Sequence, residues 1–131
     1  MSLRLRLTMP LSVLGVAALL SLAACVDSDE VWIGLDNDSG HPIRQARFEF
    51  EGGSIDFGSL NGDRGFFEPV TFYRADVQQG SRIVLTYVDG TGVSRTNEYE
   101  TEYGPEWKGD VLATIEKFGE VVWKSDLRPD Q

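Results

Sequence analysis

The sequence predicts an all-β fold, a small antiparallel β-sandwich of about seven or eight strands, for the residues after position 30. Apolar and polar residues alternate over short runs, and turn residues recur about every 8 to 12 positions. No window of a dozen residues shows a helical stripe. An immunoglobulin-like or transthyretin-like arrangement fits this pattern, and a small closed β-barrel is the alternative.

The first predicted strands are separated by clear turn sequences. Val31 to Leu35 alternates in polarity and is followed by turn residues at 36–40. In the next strand Ala46, Phe48 and Phe50 point to one side, which is the pattern of a half-buried strand.

The same alternation continues through the second half of the chain. Ile83, Leu85 and Tyr87 form an apolar row, and the Asp-Gly-Thr-Gly sequence at 89–92 is a strong hairpin signal. We expect residues 125–131 to fray. The runs with strand character are 55–57, 66–73, 82–88, 93–103, 111–118 and 121–123.

The N-terminal residues have the layout of an export signal. Arg4 and Arg6 precede an uncharged apolar run from Leu7 to Leu22, which is too short and too interrupted to cross a membrane as a helix. No lysine or arginine follows until Arg44. Positive charge therefore lies on one side of the run only, and the rest of the chain is expected to be exported.

The end of that run, Leu22-Ala23-Ala24-Cys25, resembles the lipobox of bacterial lipoproteins at all four positions. The resemblance covers residues 1–25 and implies that the preceding segment is removed. It also implies that Cys25 carries a diacylglycerol and an N-acyl lipid such as palmitate. Because one acyl chain binds membranes only marginally, several chains are what make the anchor stable. The alternative is an ordinary cleavable signal in which Cys25, the single cysteine of the chain, stands by chance.

Four segments are therefore expected: a signal peptide at 1–24, a lipidated cysteine with a short linker at 25–30, a β-sandwich domain at 31–124 and a tail at 125–131. The linker extends to at most about 17 Å, so the domain is held near the membrane and faces the periplasm. The sorting signal of enteric bacteria retains lipoproteins at the inner membrane when aspartate directly follows the cysteine, and here that position is Val26. The outer membrane is therefore slightly favoured over the inner one.

The exported part is strongly acidic, because ten basic and 21 acidic residues follow Cys25 and its formal charge is −11. Nucleic acid and bare anionic headgroups are disfavoured partners for such a surface. A basic envelope protein or peptide is compatible with it. An acidic balance also keeps exported domains dispersed, so the charge alone does not identify a partner.

Three glutamates and one tryptophan are the candidate partner-binding residues. Glu98, Glu100 and Glu102 place carboxylates on one strand face, about 6.8 Å apart in successive pairs. Their row is either a docking face for a basic partner or a charged edge that prevents aggregation. Trp107 lies in a loop bounded by glycines and is either a recognition residue or a cap on the core.

Asp36 and Asp38 are candidate metal ligands, because alternating oxygen ligands begin calcium-binding loops. Gly40 stands where a third ligand belongs, so a tight turn is the stronger interpretation. His41 is the single histidine, and no serine lies in a nucleophile elbow. The sequence therefore predicts no catalytic residue and no cofactor besides the lipid on Cys25.

These observations predict a lipid-anchored, non-catalytic binding or accessory module of the bacterial cell envelope, with its contact surface in residues 98–107. Two alternatives stay open. One is an inhibitor of a cationic envelope hydrolase of the lysozyme-inhibitor type, although the paired cysteines of that family are missing here. The other is a structural subunit of an envelope assembly.

Overall fold

The computed structural model describes residues 30–62 and 69–130. Within these ranges, no helix has the length and apolarity that a membrane crossing needs. A short 3₁₀ helix covers Lys117–Gly119. The strands are β1 (Val31–Asn37), β2 (Ile43–Phe50), β3 (Gly53–Leu60), β4 (Phe72–Ala75), β5 (Gly80–Val88), β6 (Ser94–Tyr103), β7 (Trp107–Ile115), β8 (Val121–Ser125) and β9 (Arg128–Pro129).

The described strands form two sheets that enclose one apolar core. The first sheet has the order β4-β1-β7-β8, with β9 also paired to β7, and the second has the order β3-β2-β5-β6. Ile33 and Val111 contribute to the core from the first sheet, and Phe48 and Leu85 contribute from the second. The predicted β-sandwich is confirmed, and the described strands do not close into a barrel.

One strand pair differs from the purely antiparallel arrangement that the sequence predicts. β1 and β7 are parallel, from Val31 opposite Gly109 to Asn37 opposite Ile115. Parallel neighbours need a long crossover, and here the chain between them builds the whole second sheet before it returns. Alternation within a strand carries no information about that return direction.

Alternation located most strands correctly but missed their ends. Ile83, Leu85 and Tyr87 of β5 are all buried, as predicted. Of the predicted strand at 66–73, residues 66–68 lie outside the described ranges, and β4 begins only at Phe72. The cause is that turn residues mark the neighbourhood of a strand end and not its last paired residue.

Part of the predicted frayed tail at 125–131 is instead paired, since Ser125 is the last residue of β8 and lies opposite Val111. Arg128 and Pro129 lie opposite Lys108 and Trp107 of β7. A two-residue pairing has no local alternation, so the sequence pattern could not reveal it. The pairing depends on the tertiary position of β7.

Aromatic pairs link the edge strands of the two sheets on both sides of the sandwich. Phe57 of β3 packs edge-to-face on Tyr73 of β4, with ring centroids 4.9 Å apart. Tyr99 of β6 stacks on Trp123 of β8 at 5.0 Å, and the indole Nε1 of Trp123 donates a hydrogen bond of 2.6 Å to Asn97 Oδ1. These pairs cover the core where each sheet ends.

Candidate functional site

The outer face of the second sheet gathers five glutamates. Glu98, Glu100 and Glu102 of β6 are exposed on one face, as the sequence predicts. The fold adds Glu49 of β2 and Glu51 of the β2–β3 turn, which no local pattern in the sequence groups with them. These five residues are termed the acidic face.

The register of the sheet explains why these two stretches meet. Val84 of β5 lies opposite Glu49 on one side and opposite Glu98 on the other. Neighbouring strands are about 4.8 Å apart, so the two rows of carboxylates stand about 10 Å apart. An open depression of about 910 Å³ lies between them, and four of the five glutamates line it together with Arg82: Glu49, Glu51, Glu100 and Glu102.

Two arginines neutralise part of the acidic face. Arg47 Nε lies 3.3 Å from Glu49 Oε2, and Arg82 Nη1 lies 3.7 Å from Glu98 Oε1. The other three glutamates make no ion pair with any described residue. Five carboxylates and two guanidinium groups give this surface a net charge of −3, and exposed ion pairs of this kind contribute little to stability.

Tyr103 holds one end of the acidic face in place. Its side chain is fully buried, and its hydroxyl accepts a hydrogen bond of 3.0 Å from the Glu51 amide. The same hydroxyl donates a bond of 2.6 Å to the Arg82 carbonyl oxygen. Gly80 permits this packing, because a Cβ there would lie 2.6 Å from the hydroxyl. Tyr103 therefore ties the β2–β3 turn to β5.

Trp107 lies apart from the acidic face. It is the first residue of β7 in the first sheet, and its half-buried ring packs against the core. Its amide donates a hydrogen bond of 3.0 Å to the Gly104 carbonyl oxygen, which closes the turn after β6. Trp107 therefore belongs to the other sheet from the three glutamates, and its packing fits the expected alternative of a cap on the core.

Asp36 and Asp38 flank a buried asparagine. Asn37 is 3% exposed, and its Nδ2 donates a hydrogen bond of 2.7 Å to the His41 carbonyl oxygen. Its Oδ1 accepts a bond of 2.7 Å from the Ser39 hydroxyl. Among the described residues, no group of three or more His, Cys, Asp or Glu side chains suits a metal ion. The turn residues therefore supply hydrogen-bond partners to Asn37. Turn propensity does not reveal that Asn37 is buried.

Cys25 lies outside the described residues, and Glu30 is the first residue described. Glu30 Oε2 accepts a hydrogen bond of 2.9 Å from Arg74 Nη1, and its carbonyl oxygen accepts one of 3.1 Å from the Gly109 amide. Because Gly109 follows the turn after Tyr103, Glu30 and Tyr103 lie at the same end of the sandwich.

No family model matches this sequence, and the search of curated proteins finds no match. Among solved structures, the chain is similar to a protein from Eubacterium rectale determined by NMR, with a TM-score of 0.51 and 12% sequence identity. The alignment covers 76% of this chain and 90% of the other. At this identity the likeness concerns the fold alone.

Proposed function

We propose that this chain is a lipid-anchored lipoprotein of the bacterial cell envelope that acts as a non-catalytic binding module for a basic protein or peptide. The observation that carries the binding role is the acidic face, with its net charge of −3 on one side of the second sheet. The lipobox-like sequence ending at Cys25 supports the anchoring role.

Charge complementarity makes a basic partner suitable. Lysine or arginine side chains of a partner would form charge-assisted hydrogen bonds with the carboxylates that lack an ion pair. They would also relieve repulsion within the row of Glu98, Glu100 and Glu102. A negative surface speeds the approach of a positive partner and selects against acidic ones.

The edge position of β6 favours an extended partner segment. β6 pairs only with β5 in the described sheet, and that register is regular from Arg82 opposite Glu100 to Val88 opposite Ser94. A regular, unpaired edge can accept a strand from a partner. The other edge strand, β3, has register shifts and Gly58 at a φ of 67°, which blunt it.

The anchor would keep the acidic face close to the bilayer. Glu51 lies beside Tyr103, at the end of the sandwich where Glu30 enters. The linker of Val26 to Glu30 spans at most about 17 Å. A partner with a basic segment near the same membrane therefore suits the proposal.

The anchoring role is tested with Cys25→Ser in the full chain. We expect wild-type protein to incorporate labelled palmitate and to sediment with membranes, and we expect the variant to lose both properties. A variant that keeps its label and its membrane association would refute the lipoprotein assignment.

The binding role is tested with a defined probe, a 12-residue peptide of alternating lysine and threonine, and with the triple variant Glu98→Gln/Glu100→Gln/Glu102→Gln. We expect the variant to bind the peptide about tenfold more weakly, since three exposed charge pairs of about 0.5 kcal/mol each are lost. Fluorescence anisotropy at physiological salt measures the affinity.

A second triple variant, Glu106→Gln/Glu116→Gln/Glu120→Gln, provides the matched control. It removes the same charge from glutamates outside the acidic face. An equal loss in both variants would mean that the peptide responds to overall charge and not to this surface. Co-purification of the full chain from cross-linked cells then identifies the partner, and a cationic hydrolase in the eluate would specify an inhibitor.

A further inference from the structure

A mostly apolar cleft opens between the two sheets at the end of the sandwich opposite Glu30. Its volume is about 610 Å³, which is within the usual range of small-molecule sites. The buried side chains of Ile43, Tyr87 and Ile115 line it, together with residues of the β1–β2, β5–β6 and β7–β8 loops. It is termed the end cleft.

Tyr87 contributes an unpartnered hydroxyl to the end cleft. Its side chain is only 4% exposed, yet its hydroxyl forms no hydrogen bond with any described residue. Burial raises the pKa of Tyr87, and the charges of Arg95 and Asp89 also act on it. Tyr87 and both of these charged residues line the cleft. Buried polar groups normally have a partner, and this donor has none within the described fold.

Phe118 places an exposed aromatic ring at the rim of the end cleft. Its side chain is fully exposed, and its φ of 68° lies in the left-handed region, which disfavours a bulky residue. Exposure and backbone strain therefore fall on the same residue. Strained residues cluster at binding sites, and an apolar ligand would cover this ring.

The charged groups of the end cleft leave one positive charge in excess. Asp89 accepts hydrogen bonds from the Thr91 hydroxyl at 2.6 Å, Arg95 Nε at 2.8 Å and the Val93 amide at 3.0 Å. These bonds hold the pKa of Asp89 well below its usual range. Lys117 also lines the cleft and makes no ion pair with any described residue. The net charge of +1 contrasts with the acidic surface elsewhere.

We propose that the end cleft binds a small amphipathic carboxylate, with its apolar body against Ile43, Ile115 and Phe118. The Tyr87 hydroxyl donates a hydrogen bond to the carboxylate, and Lys117 balances its charge. A neutral ligand would leave that charge unmatched, and a cation would be repelled. This site is independent of the acidic face.

Isoleucine methyl groups provide the test, because the chain has five isoleucines. The full chain is placed in lipid nanodiscs with ¹³C-labelled isoleucine methyls and titrated with 4-phenylbutyrate. We expect saturable shifts at Ile43 and Ile115, with a dissociation constant in the millimolar range for so small a probe. Ile33, Ile55 and Ile83 lie outside the cleft lining and should not shift.

Two analogues of the same shape test the charge preference. We expect 4-phenylbutanol to bind at least about threefold more weakly than the carboxylate, and 4-phenylbutylamine to bind more weakly still. Equal shifts at all five methyls, or an amine that binds as tightly as the carboxylate, would overturn the proposal.

Single substitutions test the two polar contacts. Tyr87→Phe and Lys117→Gln should each weaken the binding of 4-phenylbutyrate and reduce the ratio of its affinity to that of the alcohol. Lys124→Gln, an exposed lysine of β8 outside the cleft, is the matched control and should change nothing. Unchanged methyl positions outside the cleft establish that each variant is folded, and Lys117→Gln carries the test if Tyr87→Phe does not fold.

Phe118→Ala distinguishes a small-molecule site from a contact surface between two copies of the chain. It should weaken the binding of all three probes by a similar factor without changing the oligomeric state. Concentration-dependent dimers that disappear in Phe118→Ala, together with no response to 4-phenylbutyrate, would assign the cleft to a second copy and overturn the proposal.

Discussion

Two buried tyrosines at opposite ends of the β5–β6 hairpin differ in what their hydroxyls do. Tyr103 is 0% exposed, and its hydroxyl bonds both the Glu51 amide and the Arg82 carbonyl oxygen. Tyr87 is 4% exposed, and its hydroxyl has no partner among the described residues. A buried polar group without a partner costs about 1–3 kcal/mol. The Tyr103 end is therefore optimised for stability, whereas the Tyr87 end keeps a donor that folding does not use.

The surroundings of the two rings explain the difference. At the Tyr103 end, Gly80 lets the backbone approach the ring closely enough for both hydrogen bonds. At the Tyr87 end, three loops surround the end cleft and leave about 610 Å³ of space. Where the backbone closes over a buried hydroxyl it supplies partners, and where it diverges it leaves room for a ligand.

The largest effect is expected from Tyr103→Phe, which should lower the free energy of unfolding by about 2–3 kcal/mol. The change removes both hydrogen bonds of the hydroxyl, to the Glu51 amide and the Arg82 carbonyl oxygen, and each contributes about 1–1.5 kcal/mol. Urea denaturation measures the loss. A loss below about 0.5 kcal/mol would remove the distinction between the two ends.

Gly80→Ala should cost about 1–3 kcal/mol, because the new Cβ would lie 2.6 Å from the Tyr103 ring and hydroxyl. The cost should shrink in the Tyr103→Phe background, where the hydroxyl is gone. A double-mutant cycle measures this coupling. Strictly additive costs would contradict the proposed contact.

Phe118→Gly should raise the free energy of unfolding by about 1 kcal/mol, because glycine adopts the left-handed backbone without strain. Phe118→Ala keeps the Cβ and is the control, so it should not share this gain. Equal stabilities of the two variants would show that the backbone of this loop is not strained.

Tyr87→Phe should leave stability unchanged or raise it by up to about 1 kcal/mol, since no hydrogen bond with a described residue is lost. The change in the free energy of unfolding is therefore expected not to share the negative sign expected for Tyr103→Phe. Urea denaturation of both variants under the same conditions provides the comparison. A clear loss of stability would mean that the Tyr87 hydroxyl is already satisfied in the free protein.

The smallest effect is expected from calcium. We expect millimolar calcium to shift the melting temperature by less than about 1 °C, because a ligand stabilises a fold only in proportion to its binding. Asp36→Asn/Asp38→Asn is the control. A larger shift that disappears in this variant would establish a calcium site at the β1–β2 loop.

Part of the fold and of the candidate site was predictable from local pattern. Alternation identified the buried faces of β2 and β5 and the exposed row of Glu98, Glu100 and Glu102. It could not join Glu49 to that row, since the two stretches meet only across β5, where Val84 lies opposite both Glu49 and Glu98. It left open whether Trp107 is a recognition residue or a cap on the core, because a loop signal does not show whether the ring of the following strand packs on the core.

By itself, the sequence determined the strand-rich character, the inward and outward faces of each strand, the acidic balance and the lipobox-like segment at Leu22-Ala23-Ala24-Cys25. These are local properties, since side chains alternate with a period of two along any strand. Only the tertiary structure decided the parallel pairing of β1 with β7, the assembly of the acidic face and the different ends at Tyr87 and Tyr103. Those features depend on strand register and on the paths of loops, which bring together residues far apart in the chain.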